Sequence, residues 1–581
     1  MRWPSSKMRF IWAFLCGALL SLAVSIVFLG NSCSAPHETH YLPHASASSF
    51  HNQPSSGNAS ADASLPIKCI VNGDRQRPIS CLQKNDDVFV PFALVERYFE
   101  ISGKVETDKK SGNSEKVFNW QHSYAKLSLP KLPYEPDGIF MSFDNYNVEV
   151  RDRVKCISAM EGVPLSSQWT TGGGHFYPIQ VAQFGLSHYS KNISEEAPRK
   201  TVIANFQQRG SWAVPAVESD EQRSFVWNFT LPESVSGPDV VLDEFPDSGD
   251  PYIIFSVKFR THGSVTLQLE VQDKKQITYE LIYTCSNESI WAEGNRIFYG
   301  IGADCTNWIS LVRDIYVDLV KGLTLGIKKI NKKDKVRPNI TRIRIIRMVL
   351  HGQGHLDKVV TQTTAHSELF YVAADWLVRH QVRQTGGWPI SVKRKLGASE
   401  LQPGWFSAMA QGQAMSTLTR AYRKSGSAAY LEAAVRALDL FGKSAAEGGI
   451  TAVFLDKYVW YEEYPTKPPS FVLNGFIYAL LGLYDVSLTA TGEDQKRAHN
   501  LFADGVASLK ALLPLFDTGS GSTYDLRHFT LKSLPNIARW DYHATHVTQL
   551  LVMNSIAPDE MFQSFAQRWS EYMSGKRAPH N

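Results

Sequence analysis

The chain has 581 residues, too many for one hydrophobic core, and the usual domain size divides it into two to four units. Its 60 lysines and arginines against 56 aspartates and glutamates leave a formal charge of +4. So small an excess excludes wholesale nucleic-acid binding and leaves room only for a local basic patch.

In chain order, Arg2, Lys7 and Arg9 precede an uncharged, mostly apolar stretch over 10–30. It is long enough to cross a bilayer and longer than the apolar core of a cleaved signal. The pattern predicts a cytoplasmic tail at 1–9, a transmembrane signal anchor at 10–30 and a luminal remainder. Sequons at Asn58, Asn192, Asn228, Asn287 and Asn339 agree with a glycosylated luminal body. Residues 31–65 are rich in Ser, His, Ala, Pro and Asn without periodicity, as in a flexible stem. Short apolar runs broken by turn residues predict β-hairpins over 66–133. The span 134–350 remains β-rich, with Ser264–Val271 alternating at period two, and predicts a barrel or sandwich. From 351 to 581 apolar residues recur three and four apart, predicting helices whose order suggests an α/α toroid. The expected fold class is multidomain α+β.

Of the 7 cysteines, Cys16 lies in the apolar stretch and Cys33 just beyond it. Cys69, Cys81, Cys156, Cys285 and Cys305 remain, an odd number that cannot all pair. Cys69/Cys81 and Cys285/Cys305 have hairpin spacings, but spacing leaves the connectivity open. There is no CxxC to suggest a redox or zinc site.

Three segments in the helical part set tyrosines beside acids and arginines: Trp460-Tyr461-Glu462-Glu463-Tyr464-Pro465, Tyr524-Asp525-Leu526-Arg527-His528 and Arg539-Trp540-Asp541-Tyr542-His543. Each falls between helical stretches, and loops at one end of a toroid would bring all three to a common mouth. Such a site has no obvious serine or cysteine nucleophile. It suits proton transfer at a carbon beside a carboxylate, because guanidinium groups hold the anion while phenols exchange the proton. A nearby arginine is expected to depress a phenol's pKa and help it act as a base. Asp541, His543 and His546 lack a further metal ligand and fit polar packing better than a metal site. Lys393-Arg394-Lys395 fits an ordinary solvated face or, close to Gly386-Gly387-Trp388-Pro389, a pairing of cations with an indole plate for an anionic sugar. Arg151-Asp152-Arg153, after Tyr146, fits either an anion clamp or an internal ion-pair network.

Longer motifs make the chain recognisable. They are Gly138-Ile139-Phe140-Met141-Ser142-Phe143, then Tyr146-Asn147-Val148-Glu149-Val150-Arg151-Asp152-Arg153-Val154-Lys155-Cys156, and Leu401-Gln402-Pro403-Gly404-Trp405 followed by Ser407 to Ala414. With the three tyrosine segments, they closely resemble the D-glucuronyl C5-epimerases of heparan sulfate biosynthesis from about Val88 to the C-terminus. The resemblance implies a type II Golgi membrane enzyme, a homodimer without a catalytic cofactor, that inverts C5 of glucuronic acid to give iduronic acid in an N-sulfated polymer. It implies catalytic roles for Glu463, Tyr464, Tyr524 and Tyr542. Substrate would be held by Arg527 and the Asn536–Thr545 loop, including Arg539, Trp540, Asp541 and His543. Further cleft positions implied are Tyr146, Arg151, Asp152, Gln168, Lys393, Arg394, Lys395, Leu396, Asn474 and Tyr478. It also implies a structural calcium with Asp357 as one ligand and others between Lys200 and Val235. The rival readings are a polysaccharide lyase, which would break the chain after the same proton abstraction, and a non-catalytic glycan-binding protein.

Overall fold

The computed structural model describes residues 64–579 except 71–74, 77, 99–100, 109–114, 123–126, 171, 205–215, 220–223, 230–239, 244, 247–248, 273–275, 326–339 and 398. The chain forms two compact units. In the smaller, Leu82, Gln83 and Lys84 pair with Phe89, Val88 and Asp87 in a hairpin. The larger, 68–81 and 90–581, carries every expected site residue. Cys69–Cys81 and Cys285–Cys305 are disulfides, and Cys156 is buried and free.

Period-two sequence in the β part produces a sandwich. One sheet of six strands runs Val240–Leu242, Arg342–His351, Ser264–Gln272, Gln276–Thr284, Arg296–Gly300, Trp291–Glu293, and a seven-stranded sheet is built around Tyr252–Phe259. Val265, Leu267, Leu269 and Val271 share a core with Ile253, Phe255, Val257 and Phe259, as alternation along each strand dictates. Of the two expected alternatives, barrel and sandwich, the barrel is corrected and the open sandwich is found, since among the described residues neither sheet runs back onto its first strand.

The membrane expectation is corrected as well. No helix among the described residues is long and apolar enough to cross a membrane, against the single-pass type II Golgi arrangement. The 1–9 tail, the 10–30 anchor and the 31–65 stem, save residues 64 and 65, lie outside the described residues.

Within the expected β span sits a helix, Pro178–Ser194, that begins with proline in its first turn, where a missing N–H costs nothing. It is buried along most of its length and packs on His366–His380 and Ala408–Ser425. Ala408–Ser425 packs in turn on Leu473–Ser487, which meets Gly492–Leu512 and Trp540–Ile556, and the last of these meets Glu560–Met573. Gly412 and Gly482 allow Ala408–Ser425 and Leu473–Ser487 to touch backbone to backbone, because a Cβ on Gly482 would collide with Gly412. The sandwich is joined to this layer by buried cations. Lys321 donates to the carbonyls of Arg151 (2.9 Å) and Val154 (2.7 Å). Arg313, paired with Asp318 at 2.6 Å, donates to Ile157 O (2.9 Å) and Ser158 O (3.2 Å). Residues 151–158 thus hang from the sandwich.

Candidate active site

The hairpin of Thr451–Phe454 and Tyr458–Tyr461 delivers Glu462 and Glu463 to the start of helix Leu473–Ser487. Glu462, fully buried, accepts hydrogen bonds from Ser470 Oγ (2.8 Å) and Phe471 N (3.0 Å). Phe471 points its N–H there from a left-handed backbone (φ +53°), a conformation costly for a bulky residue that persists because this carboxylate holds it. Gly475 makes room for Glu463, since any side chain there would strike its carboxylate. Backbone hydrogen bonds stitch the other segments alongside: Leu473 N to Tyr524 O (3.1 Å), Leu526 N to Ser470 O (3.2 Å) and Tyr524 N to Asn536 O (2.7 Å). The result brings Glu463, Tyr464, Tyr524 and Tyr542 together. Tyr524 Oη donates to Glu463 Oε1 at 3.4 Å, and the Tyr524 and Tyr542 rings meet edge to face at 4.9 Å.

Burial governs the electrostatics. Desolvation pushes Glu463 up to about 7 although hydrogen bonds from Tyr464 and Tyr524 and the charge of Arg394 oppose it. Glu462 is pushed up to about 7 by the same cause. Tyr464, Tyr524 and Tyr542 are all raised by burial first and by the Glu463 charge second. The expectation that guanidinium groups would depress these phenols is corrected. Arg394 opposes the rise at Tyr464, and Arg153 and Arg539 oppose it at Tyr542, but desolvation prevails. The phenols are neutral donors near neutrality, and Glu463 is the group poised to exchange a proton.

Around this centre, the Arg151 guanidinium lies 4.0 Å over the Tyr146 ring, whose hydroxyl donates to Gln183 at 3.2 Å. Asp152 is exposed beside it. Tyr478 is buried between Phe140 and Phe143, at 6.1 and 6.4 Å. Gln168 accepts from Gln180 at 3.2 Å. Arg394 lies over Trp169 (4.4 Å) and Tyr464 (5.7 Å), Lys393 pairs with Glu400 (2.8 Å), Lys395 is exposed and Leu396 half-buried. Asn474 is buried one residue before Gly475, its carbonyl accepting from Gln549 at 2.9 Å. Arg539 pairs with Asp541 (2.8 Å) and lies 5.4 Å over Tyr542, Trp540 packs against His543 (5.3 Å), and Thr545 donates to Asp541 O (2.9 Å).

Several expected residues face elsewhere. His543 is fully buried, bonded to Ser522 Oγ (2.8 Å) and Trp569 O (2.9 Å), while His546 meets the same serine at 2.9 Å. Both therefore pack rather than open to a cleft. Trp388 is fully buried, donating to Leu377 O at 2.7 Å, and the indole beside Arg394 is Trp169. Asp357 accepts from Lys358 N (2.7 Å), and no group of three acids, histidines or cysteines among the described residues could hold a metal ion. Much of the stretch between Lys200 and Val235 expected to supply the other calcium ligands lies outside the described residues.

Three contributors, Asp525, Tyr177 and Trp169, went unassigned from sequence, and a fourth, Arg153, was read only within a stretch fitting either an anion clamp or an ion-pair network. Asp525, 1% exposed, accepts from Arg527 Nε (3.0 Å) and Nη2 (2.8 Å) and from Asn536 Nδ2 (2.7 Å), fixing both side chains. Tyr177 and Arg153 couple electrostatically to the centre, and Trp169 supplies the plate. Asp525 and Arg153 lay within motifs. The others come from a distant stretch that no local pattern connects to the tyrosines.

Residues 381–571 match the family described as D-glucuronyl C5-epimerase C-terminus, and residues 223–353 match its beta-sandwich domain. A D-glucuronyl C5-epimerase of Caenorhabditis elegans is 36% identical over 570 residues, covering 89% of this chain and 90% of that protein. An uncharacterized protein of Methanocaldococcus jannaschii is 31% identical over 174 residues, 29% of this chain and 53% of that protein. A relative this similar over nearly its whole length settles the kinship of a molecule already seen to gather an acid and three phenols: the chain belongs to the D-glucuronyl C5-epimerase family and is an isomerase.

Proposed function

We propose that the chain inverts C5 of glucuronic acid residues to iduronic acid within N-sulfated heparan sulfate precursor chains, with Glu463 and Tyr542 acting on opposite faces of the ring. The C5 hydrogen is a very weak acid, because removing it adds charge beside an existing carboxylate, and cations must first neutralise that anion. Arg394, Arg153 and Arg539 act electrostatically on the acid and phenols, and Arg394 and Arg153 fill this role. Arg527, held by Asp525, steadies the rest of the sugar.

Ionised Glu463 takes the C5 proton, and the C–H electron pair moves into the bond to the carboxyl carbon, forming an ene-diolate. The Tyr542 phenol then delivers a proton to C5 from the other face. Tyr524 touches both groups and carries the proton from Glu463 back to the Tyr542 phenolate, restoring the starting state. Tyr464 orients the Glu463 carboxylate by a hydrogen bond.

The observation that carries this reading is a buried carboxyl poised at about 7 in contact with phenols. Incubation with N-sulfated heparosan in deuterated water tests it: C5 deuterium and iduronate accumulate without ultraviolet-absorbing unsaturated ends. Unsaturated ends would instead mark a lyase. The homodimer belongs to the same proposal and is tested by sedimentation.

A further inference from the structure

A cavity of about 410 Å³ opens where the C-terminal tail passes the first turn of helix Trp540–Ile556. Arg539, Lys576 and Arg577 line it against a single acid, Asp541, and Trp540 and Ser520 add an indole and a hydroxyl. Lys576 is 67% exposed and only loosely paired, 3.4 Å from Glu571. Arg577 is exposed and has no ion-pair partner among the described residues.

The walls are fixed in advance. Ala578 N donates to Gly519 O at 2.8 Å, tying the tail to the loop opposite. Asp517 anchors that loop, accepting from Gly519 N (2.9 Å), Tyr572 Oη (3.1 Å) and Arg568 Nη1 (3.0 Å). A pocket whose cations stand on pinned backbone loses little freedom when an anion enters. It also adjoins the reaction centre through one residue, since Arg539 lines it and lies 5.4 Å over the Tyr542 ring. The tail lies beyond residue 571, where the family match ends.

We propose that this cavity is a subsite for a sulfated sugar residue flanking the uronate that reacts, with Lys576 and Arg577 pairing the sulfate and Trp540 facing the ring. Sulfate suits it because it is a permanent anion with several acceptor oxygens, matched by an ammonium and a guanidinium. The proposal rests on the epimerase reading above for its polymer. Arg539 links the two sites, so a filled subsite holds the neighbouring uronate in register with Tyr542.

The test compares the wild-type chain with K576A/R577A and with the charge-preserving K576R/R577K. Dissociation constants are measured for N-sulfated and unsulfated heparosan oligosaccharides of equal length, with inorganic sulfate as competitor. C5 deuterium exchange is followed at saturating sulfated substrate. The expected result is a roughly tenfold weaker hold on the sulfated oligosaccharide in K576A/R577A, no change for the unsulfated one, and recovery in K576R/R577K. Exchange at saturation falls in K576A/R577A as the register is lost and recovers in K576R/R577K, and sulfate competes only where the cations remain. Equal loss on both oligosaccharides, no loss on either, or sulfate binding without preference for the sulfated chain (an adventitious ion only) overturns the subsite. Wild-type protein that exchanges no C5 hydrogen overturns the epimerase reading instead.

Discussion

Glu463 concentrates the chemistry in one side chain. Because burial lifts it to about 7, its base form is gained as pH rises through that value, and exchange is expected to climb along this limb. Glu463→Gln removes the limb and lowers exchange by about 10² to 10⁴, measured as C5 deuterium incorporation against pH. Asp525 acts through its neighbours. Asp525→Asn frees Arg527 and Asn536, raising KM and lowering kcat by about tenfold at constant fold. The same change removes a negative charge that helps hold Glu463 high, so the acidic limb should move to lower pH. A limb that stays in place would show that Asp525 is structural only. At this scale much was legible in sequence. Acids and tyrosines packed into short motifs announced themselves, whereas burial did not. Trp388 in its glycine-proline motif looked like a sugar plate, and His543 looked like a cleft residue, because local sequence does not say which side of an element turns inward. The phenol pKa values were misjudged for the same reason, since sequence neighbours are visible and desolvation is not.

At the scale of elements, the close approach of Ala408–Ser425 and Leu473–Ser487 sets where Asn474, Gly475 and Tyr478 stand. Gly482→Ala wedges these helices apart and is expected to cost about 1–3 kcal/mol, read from denaturant unfolding. Gly475→Ala presses on the Glu463 carboxylate instead, so exchange should fall further than stability does. Helical periodicity in His366–His380 and Gly492–Leu512 and strand alternation in Ser264–Gln272 were readable, because one face of each is buried. Helix Pro178–Ser194 was not: it is buried nearly all round and carries Gln180, Ser187, His188 and Ser190 inside, which erases an amphipathic signature. Sheet closure is equally invisible, since the alternation of a sandwich strand and a barrel strand is the same.

For the molecule as a whole, buried titratable groups pull stability in opposite directions with pH. Glu462 and Glu463 are raised, so their contribution is full below the ordinary carboxylate range and is lost as pH rises towards about 7. His175, His188, His366, His543 and His546 are depressed by burial, so theirs is lost as pH falls below about 6.5, the usual histidine value. Replacing Glu462 by Gln isolates the first group. The stability gap between wild type and this variant should be widest, in favour of wild type, below pH 4.5 and narrow towards 7; a gap independent of pH would refute the shift. The sandwich bears on the same reaction from a distance, because Lys321 and Arg313 carry the stretch that holds Arg151 and Arg153. Anyone trimming this enzyme to a minimal catalyst would be tempted to keep only the helices and their tyrosines. Such a miniature would retain its acid and phenols yet arrive without the scaffold for its anion grip, so shortening should begin elsewhere.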